Sequence, residues 1–205
     1  MNKFERKMSR DSDKIVSLID IPLNIIFDIG ANIGLYSLSF SKNCPDSMIY
    51  SFEPVKSTYD ILCSNIDLNN CSNVQAFNYG LYKETKIITM GIPCERNVKK
   101  KKNIGLYTIK CEGEIEKTVD ANFVIFDEII KNLNIDFIDL MKIDAEGCEY
   151  DILSSSNKIL DMTKYIHFEY NDNFSDSLKI KELLLNNNFS YICNTRKSNQ
   201  LWKKL

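Results

Sequence analysis

The sequence predicts an α/β fold: a doubly wound, mostly parallel sheet closed by an antiparallel C-terminal strand. Three observations carry this reading. Short apolar runs alternate with amphipathic segments along the chain. A turn holding Gly30 and Gly34 joins the first such run to the amphipathic segment behind it. Two extended segments lie close together at the C-terminus.

The 205 residues suffice for one domain, which we divide into an N-terminal helical extension (1–22) and a main domain (23–205). A hydrophobic fraction of 44 % and a charged fraction of 26 % are ordinary for a globular chain, and a formal charge of −2 gives no general pull toward nucleic acid or anionic lipid. The seven Cys are scattered, without a C-x-x-C pair, and read as reduced thiols of a cytoplasmic protein. Residues 1–14 have no apolar run of signal-peptide type, and the apolar stretch 19–40 is broken by Asp20, Asn24, Asp28 and Asn32, so no membrane partner is expected.

Taken in order, Asp13 to Ile19 reads as a short helix capped by Ser12 and ended by Pro22. Asn24 to Ile29 is a strand buried on both faces, and Ile33 to Ser41 shifts to helical spacing. Ser47 to Phe52 is a second strand, stopped by Pro54. Ser57 to Asn69 is a helix and Asn73 to Tyr79 a third strand. Lys83 to Met90 reads as a hairpin arm, Asn97 to Asn103 as a loop, Leu106 to Cys111 as a short strand and Phe123 to Leu133 as a helix. Phe137 to Ile143 is a buried strand, followed by a helix at Gly147 to Ser154, a strand at Lys164 to Tyr170 and a helix at Ser177 to Leu185. Tyr191 to Asn194 and Leu201 to Leu205 are expected to pair as the closing hairpin.

The first chemical signal is F-D-I-G-A-N-I-G at 27–34, a strand running through a Gly turn into a helix. Gly30 permits a backbone conformation closed to other residues, and Gly34 lets backbone approach a ligand at the helix N-terminus. The spacing is G-x-x-x-G rather than the dinucleotide pattern G-x-G-x-x-G, and Asp28 sits at the strand end, where a carboxylate would repel a pyrophosphate but suit a cationic ligand. A plain strand-to-helix connector is the bland alternative. The second signal is Glu53, at the end of the next strand and placed to accept the two ribose hydroxyls of an adenosine. NAD and S-adenosylmethionine share that device; Asp28 and the missing middle glycine favour the latter.

FDIGANIGLYSLSF, SFEP, ILCSNIDLNN and IDLMKIDAEGCEYDIL, in this order, resemble the FkbM-type methyltransferases, a class I S-adenosylmethionine-dependent group. The resemblance covers about residues 25–194. It implies a Rossmann-like sheet of about seven strands and methyl transfer to oxygen, usually on a sugar or a secondary metabolite. It places the cofactor against Asp28, Gly30, Ala31, Asn32, Gly34, Glu53, Pro54, Asn78 and Asp144. Gly80 stands where family members typically carry Ala, and the lysine loop at 99–102 has no evident family counterpart.

An alcohol is a poor nucleophile at neutral pH, so a general base is expected. The candidates are Asp144, Glu146, His167 and Glu169. Asp144 follows a strand end, where ligands of open α/β sheets bind, and His167 and Glu169 share one side of their strand. Glu149 reads either as a helix cap or as part of the site, and His167 as an ordinary strand histidine or a base. No metal is assigned, although Asp144, Glu169 and Asn171 are a conceivable divalent-ion set by comparison with metal-dependent O-methyltransferases. Lys99 to Lys102 reads as a solvated loop tip or as a steering patch for an anionic acceptor.

The expected partner is thus a small-molecule or glycan hydroxyl acceptor, with no nucleic acid. The alternatives are a catalytically silent methyltransferase-like binding module and an NAD-linked oxidoreductase, the latter disfavoured by the glycine spacing.

Overall fold

The computed structural model describes residues 3–93, 107–109, 115–170, 175–196 and 198–205. The lysine loop at 99–102, Asn171 and half of the expected strand 106–111 lie outside the described residues.

Seven strands form the main sheet: β1 (Ile25–Ile29), β2 (Met48–Phe52), β3 (Val74–Phe77), β7 (Ile138–Ile143), β8 (Thr163–Glu169), β9 (Phe189–Asn194) and β10 (Asn199–Lys204). Their order is β3-β2-β1-β7-β8-β10-β9. The strands from β3 to β8 pair in parallel, and β10 runs antiparallel to both β8 and β9. This is the doubly wound sheet expected from the sequence. The order reverses beside β1, between β2 and β7, and a crevice opens there at the carboxyl ends of the strands.

The sheet is covered on both faces. Over one lie α1 (Lys3–Leu18) and α2 (Leu35–Asn43), where Ile15, Tyr36 and Phe40 join Ile26, Ile49, Leu140 and Tyr165 in one buried cluster. Over the other lie α4 (Phe126–Leu133), α5 (Glu149–Leu153), α6 (Asn157–Met162) and α7 (Ser175–Asn186), which bury Phe126, Ile130, Ile152, Leu160 and Leu184 against Phe27, Met141 and Phe168. The remaining helix, α3 (Lys56–Leu68), follows β2. Double coverage explains why β7, IDLMKI, is buried at every position, so that Lys142 within it must be paired.

Three features differ from the sequence reading. A second, three-stranded sheet, β4 (Gly80–Leu81), β6 (Ile115–Val124) and β5 (Lys86–Pro93) in the order β4-β6-β5, is inserted before α4. The expected helix at Phe123 therefore begins at Phe126. Ala121 and Phe123 alternate inward from β6 into the core, a period of two that its polar outer positions hide. The short helix α6 was not expected; Ser156 caps it by accepting a hydrogen bond from the Lys158 N–H.

The third difference is α1, which starts at Lys3, so Ser12 lies within the helix and its Oγ donates to Ser39 Oγ at 2.5 Å. The helix is built into the sheet's cover. Asp11, 3 % exposed, accepts hydrogen bonds from the Tyr36 hydroxyl and, at 3.2 Å, from Asn199 Nδ2. Asp11→Ala would take a partner from the buried Tyr36 hydroxyl and from the half-buried Asn199 amide, and is expected to lower unfolding free energy by about 2–4 kcal/mol. Chemical denaturation measures this, and an unchanged value would make α1 a dispensable appendage.

Candidate active site

A cleft with an empty volume of about 650 Å³ opens at the carboxyl ends of β1, β2 and β7. Three loops form its floor, and each is fixed by a different device.

The first loop follows β1. Gly30 has φ +72°, and a Cβ there would lie 2.0 Å from the Asp144 carbonyl oxygen. The glycine is thus required by the backbone of the neighbouring loop as well as by its own φ. The Gly30 and Ala31 N–H groups both donate to the Phe52 carbonyl at 3.0 Å. Ala31 is buried, and Gly34, at the N-cap of α2 with φ +90°, would drive a Cβ to 2.6 Å from Leu62 Cδ1. Gly34 packs against Leu62 of α3 and does not itself line the cleft.

The second loop follows β2 and carries Glu53, 6 % exposed. Its Oε2 accepts from the Asn32 N–H at 3.0 Å and its Oε1 from the Val55 N–H at 2.9 Å, which fixes the plane of the carboxylate. Each oxygen keeps a second lone pair. Asn78 supports this loop from behind, donating through Nδ2 to the carbonyls of Glu53 at 3.0 Å and Pro54 at 3.1 Å. Burial pushes the Glu53 carboxyl up to about 7, against the opposing pull of those two N–H groups and of Lys142.

The third loop, 144–148, follows β7. Glu146 and Gly147 both have positive φ, +49° and +95°. A non-glycine residue holds that conformation only when its surroundings impose it. Here Glu149 Oε1 accepts from the Ala145 N–H at 2.9 Å and the Gly147 N–H at 3.2 Å, while the Thr108 hydroxyl donates to the Glu146 carbonyl at 3.0 Å. Glu149, left between two readings by the sequence, is the staple of this loop. The Glu146 side chain is solvent-accessible yet flanked by the cleft walls. Those walls, then the carboxylates of Asp144, Glu169 and Glu149, push its carboxyl up to about 7.

The roof is apolar. Met90, Tyr107, Ile109, Leu81 and Phe123, from the second sheet and the strand segment bridged to it, face the carboxylate-bearing floor. The sequence reading missed these residues because it missed the sheet.

Of the residues singled out from sequence, Gly30, Asn32, Glu53, Pro54, Asp144 and Glu146 meet in the cleft. Ala31, Gly34 and Asn78 support its loops without lining it. Glu169, exposed at the end of β8, does not line the cleft, although Asp144 helps to raise its carboxyl after burial.

Two others lie beneath the floor. Asp28 is fully buried, with Lys142 Nζ 2.9 Å from its Oδ1 and the Ser37 hydroxyl donating to its Oδ2 at 2.6 Å. His167 is 1 % exposed, with Nε2 2.8 Å from Thr195 Oγ1, and burial pushes its pKa down to about 4, so it is neutral at pH 7. It faces the α1–α2 side, away from the cleft, because the alternation of β8 that puts Phe168 on one face puts His167 on the other. Among the described residues no three His, Cys, Asp or Glu side chains converge as a metal site.

Sequence reasoning also missed Lys142. Its signal was a lone lysine within the apolar run FIDLMKI.

Raised carboxyls in the cleft have a signed consequence for the ligand-free protein. The Glu53 pKa is higher folded (about 7) than the reference 4.5, so the folded state binds more protons between these values. The contribution of Glu53 to stability is therefore fully present below about 4.5 and is lost as pH rises through about 7. The stability difference between the wild type and Glu53→Gln, followed by denaturation across that window, is expected to fall with rising pH. A difference that rises would show the carboxyl to be held ionised.

The comparisons with known proteins point to one family. Methyltransferase sdnD of Sordaria araneosa is 29 % identical over 166 residues, 69 % of this chain and 64 % of the relative. Hexuronic acid methyltransferase AglP of Haloferax volcanii is 24 % identical over 148 residues, 71 % of this chain and 55 % of the relative. The chain thus spans less than two thirds of either. Among solved structures, magnesium protoporphyrin IX methyltransferase from Synechocystis PCC 6803, with SAM bound, superposes with a TM-score of 0.59 at 7 % identity, covering 98 % of this chain and 80 % of that one. At that identity it shows the fold alone. Residues 28–191 match the family model described as the methyltransferase FkbM domain, and on that match the chain belongs to the FkbM methyltransferase family.

Proposed function

We propose that this chain is an S-adenosylmethionine-dependent methyltransferase that methylates a hydroxyl of a sugar, a glycan or a small metabolite. The observation that carries the reading is the convergence of Glu53 and Asp144 on one cleft at the topological switch point, on either side of Gly30. The donor set fits the cofactor. Glu53 presents a fixed carboxylate with free lone pairs to a ribose diol. Asp144, 31 % exposed at its side chain, offers a negative charge to a cationic amino acid moiety and sulfonium. When bound, the cofactor supplies a methyl group already activated by a positively charged sulfur.

The protein's remaining tasks are alignment, exclusion of water and removal of one proton. Met90, Tyr107, Ile109 and Phe123 roof the cleft with apolar surface, which keeps water from competing with the acceptor. Glu146, with its carboxyl raised to about 7, suits the role of general base near neutral pH, and Asp144 orients the acceptor hydroxyl. Glu169 lies outside the cleft lining. The neutral, enclosed His167 is given no catalytic part. A sugar acceptor is supported by the hexuronic acid methyltransferase among the relatives. A reducing, cytoplasmic setting is supported by the free thiols of all five described cysteines; among the described residues no helix is long and apolar enough to cross a membrane.

Calorimetric titration of the full chain with S-adenosylmethionine and with NAD tests the reading, which expects only the former to bind. Glu53→Ala is expected to weaken binding by about 2–4 kcal/mol, the worth of two incompletely additive charge-assisted hydrogen bonds. An unchanged dissociation constant would remove Glu53 from the site.

A glycan and metabolite screen read by mass spectrometry identifies the acceptor. With it, Glu146→Gln is expected to lower turnover by about 10²–10⁴-fold while moving cofactor affinity much less, and Asp144→Asn to lower both. Full turnover in Glu146→Gln, or unchanged cofactor affinity in Asp144→Asn, would remove that residue from its role.

A further inference from the structure

The Lys142 side chain is 3 % exposed, and its ammonium reaches two of the loops that line the cleft. Nζ lies 2.9 Å from Asp28 Oδ1 and 3.9 Å from Asp144 Oδ2, donates to the Gly30 carbonyl at 3.1 Å, and stands 4.8 Å from the centroid of the Tyr36 ring. Two of these partners, Gly30 and Asp144, line the cleft from two different loops. The other two are fixed from below. Asp28 is held by Ser37, which also accepts from the Ser51 hydroxyl at 2.9 Å, and Tyr36 is held by Asp11 of α1.

We propose that Lys142 is the positioning residue of the cleft, a buried counter-ion that ties the loop after β1 to the loop after β7 and moderates the charge of the carboxylates that line it. A structural ion pair with Asp28 alone would need neither the Gly30 carbonyl nor the approach to Asp144. Every element around the ammonium contributes a group that feels it: Asp28 from β1, Glu53 after β2, Tyr36 from α2, Asp144 and Glu146 after β7, and His167 and Glu169 from β8. Burial opposes its charge, but Asp28 and Asp144 outweigh that and hold the ammonium protonated. Lys142 in turn pulls down the carboxyls of Glu53, Glu146 and Glu169.

The inference rests on the S-adenosylmethionine reading for its effect on binding, but not for its effect on the carboxylates. The test compares the wild type with Lys142→Met and with the charge-balanced pair Asp28→Asn plus Lys142→Met. The single variant strands Asp28 and is expected to melt early. The pair removes both buried charges, and its melting temperature is expected to return close to that of the wild type.

Two readouts then separate positioning from charge balance. In the ligand-free pair, the Glu146 carboxyl, followed by carbon NMR, is expected to titrate about 0.5 pH unit or more above the wild type. Glu146 is the reporter because Lys142 lowers its carboxyl, against Asp144, Glu169 and Glu149, which raise it. In calorimetry at pH 7 the pair is expected to bind S-adenosylmethionine about tenfold or more weakly.

An unchanged Glu146 midpoint together with wild-type affinity would overturn the proposal and leave Lys142 as a partner for Asp28 only. If the wild type itself fails to bind, the cofactor reading fails. The Glu146 midpoint then decides alone: a rise upholds the electrostatic role, and no change overturns it. Should the pair not fold, Lys142→Arg keeps the charge on a different geometry. Weakened binding with an unmoved Glu146 midpoint supports positioning, and wild-type binding overturns it.

Discussion

The constraint on which the site depends is a lysine in the middle of a fully buried strand. β7 has apolar neighbours on both faces, and an ammonium there costs several kcal/mol unless it is paired and hydrogen-bonded. The register of the sheet supplies the partner, since Asp28 lies directly opposite Lys142 across the β1–β7 pairing. Continuing the same row, Ser51 lies opposite Asp28 on one side and His167 opposite Lys142 on the other. A polar stripe thus crosses the sheet two residues before Gly30, Glu53 and Asp144, on the face covered by α1 and α2.

The two faces of the sheet therefore do different work. Toward α4–α7 the interior is dominated by apolar side chains, which supply the hydrophobic stabilisation that a chain of this size requires. Toward α1 and α2, the aliphatic cluster around Ile15 and Phe40 gives way near the strand ends to the Asp28–Lys142 pair and to the His167–Thr195 and Asp11–Tyr36 contacts. Breaking one member of a buried pair costs about 3–5 kcal/mol, more than a typical surface substitution by several fold. That cost fixes the two loops that rise from β1 and β7, and it does so from beneath, leaving their upper surfaces for a ligand.

Much of this was legible in the sequence, for reasons that can be named. The parallel core was readable because strands buried on both faces are apolar runs, and NIIFDI, SMIYSF and FIDLMKI are such runs. Glu53 and Asp144 were readable because each ends one of them. The second sheet was not, because β6 exposes most of its side chains and its inward Ala121 and Phe123 fall at the edge of a helical pattern. Asp28 was read as facing the ligand when it faces Lys142. A strand end fixes where a residue stands along the sheet, but only the neighbouring strand decides what it meets. His167 failed as a candidate for the same reason: strand alternation is visible in sequence, but which face carries the cleft is not.

The account stands on the claim that the cleft between Gly30, Glu53 and Asp144 is where the cofactor binds. Titration of ¹⁵N-labelled protein with S-adenosylhomocysteine, followed by amide chemical shifts, tests it most directly. The account predicts that the largest shifts fall on Gly30 and Asn32, on Glu53 and Val55, and on Asp144 to Glu146, with Thr195 and the α1 residues near Ile15 scarcely moved. Binding with its shifts centred elsewhere, and the amides of Glu53 and Asp144 unmoved, would contradict it.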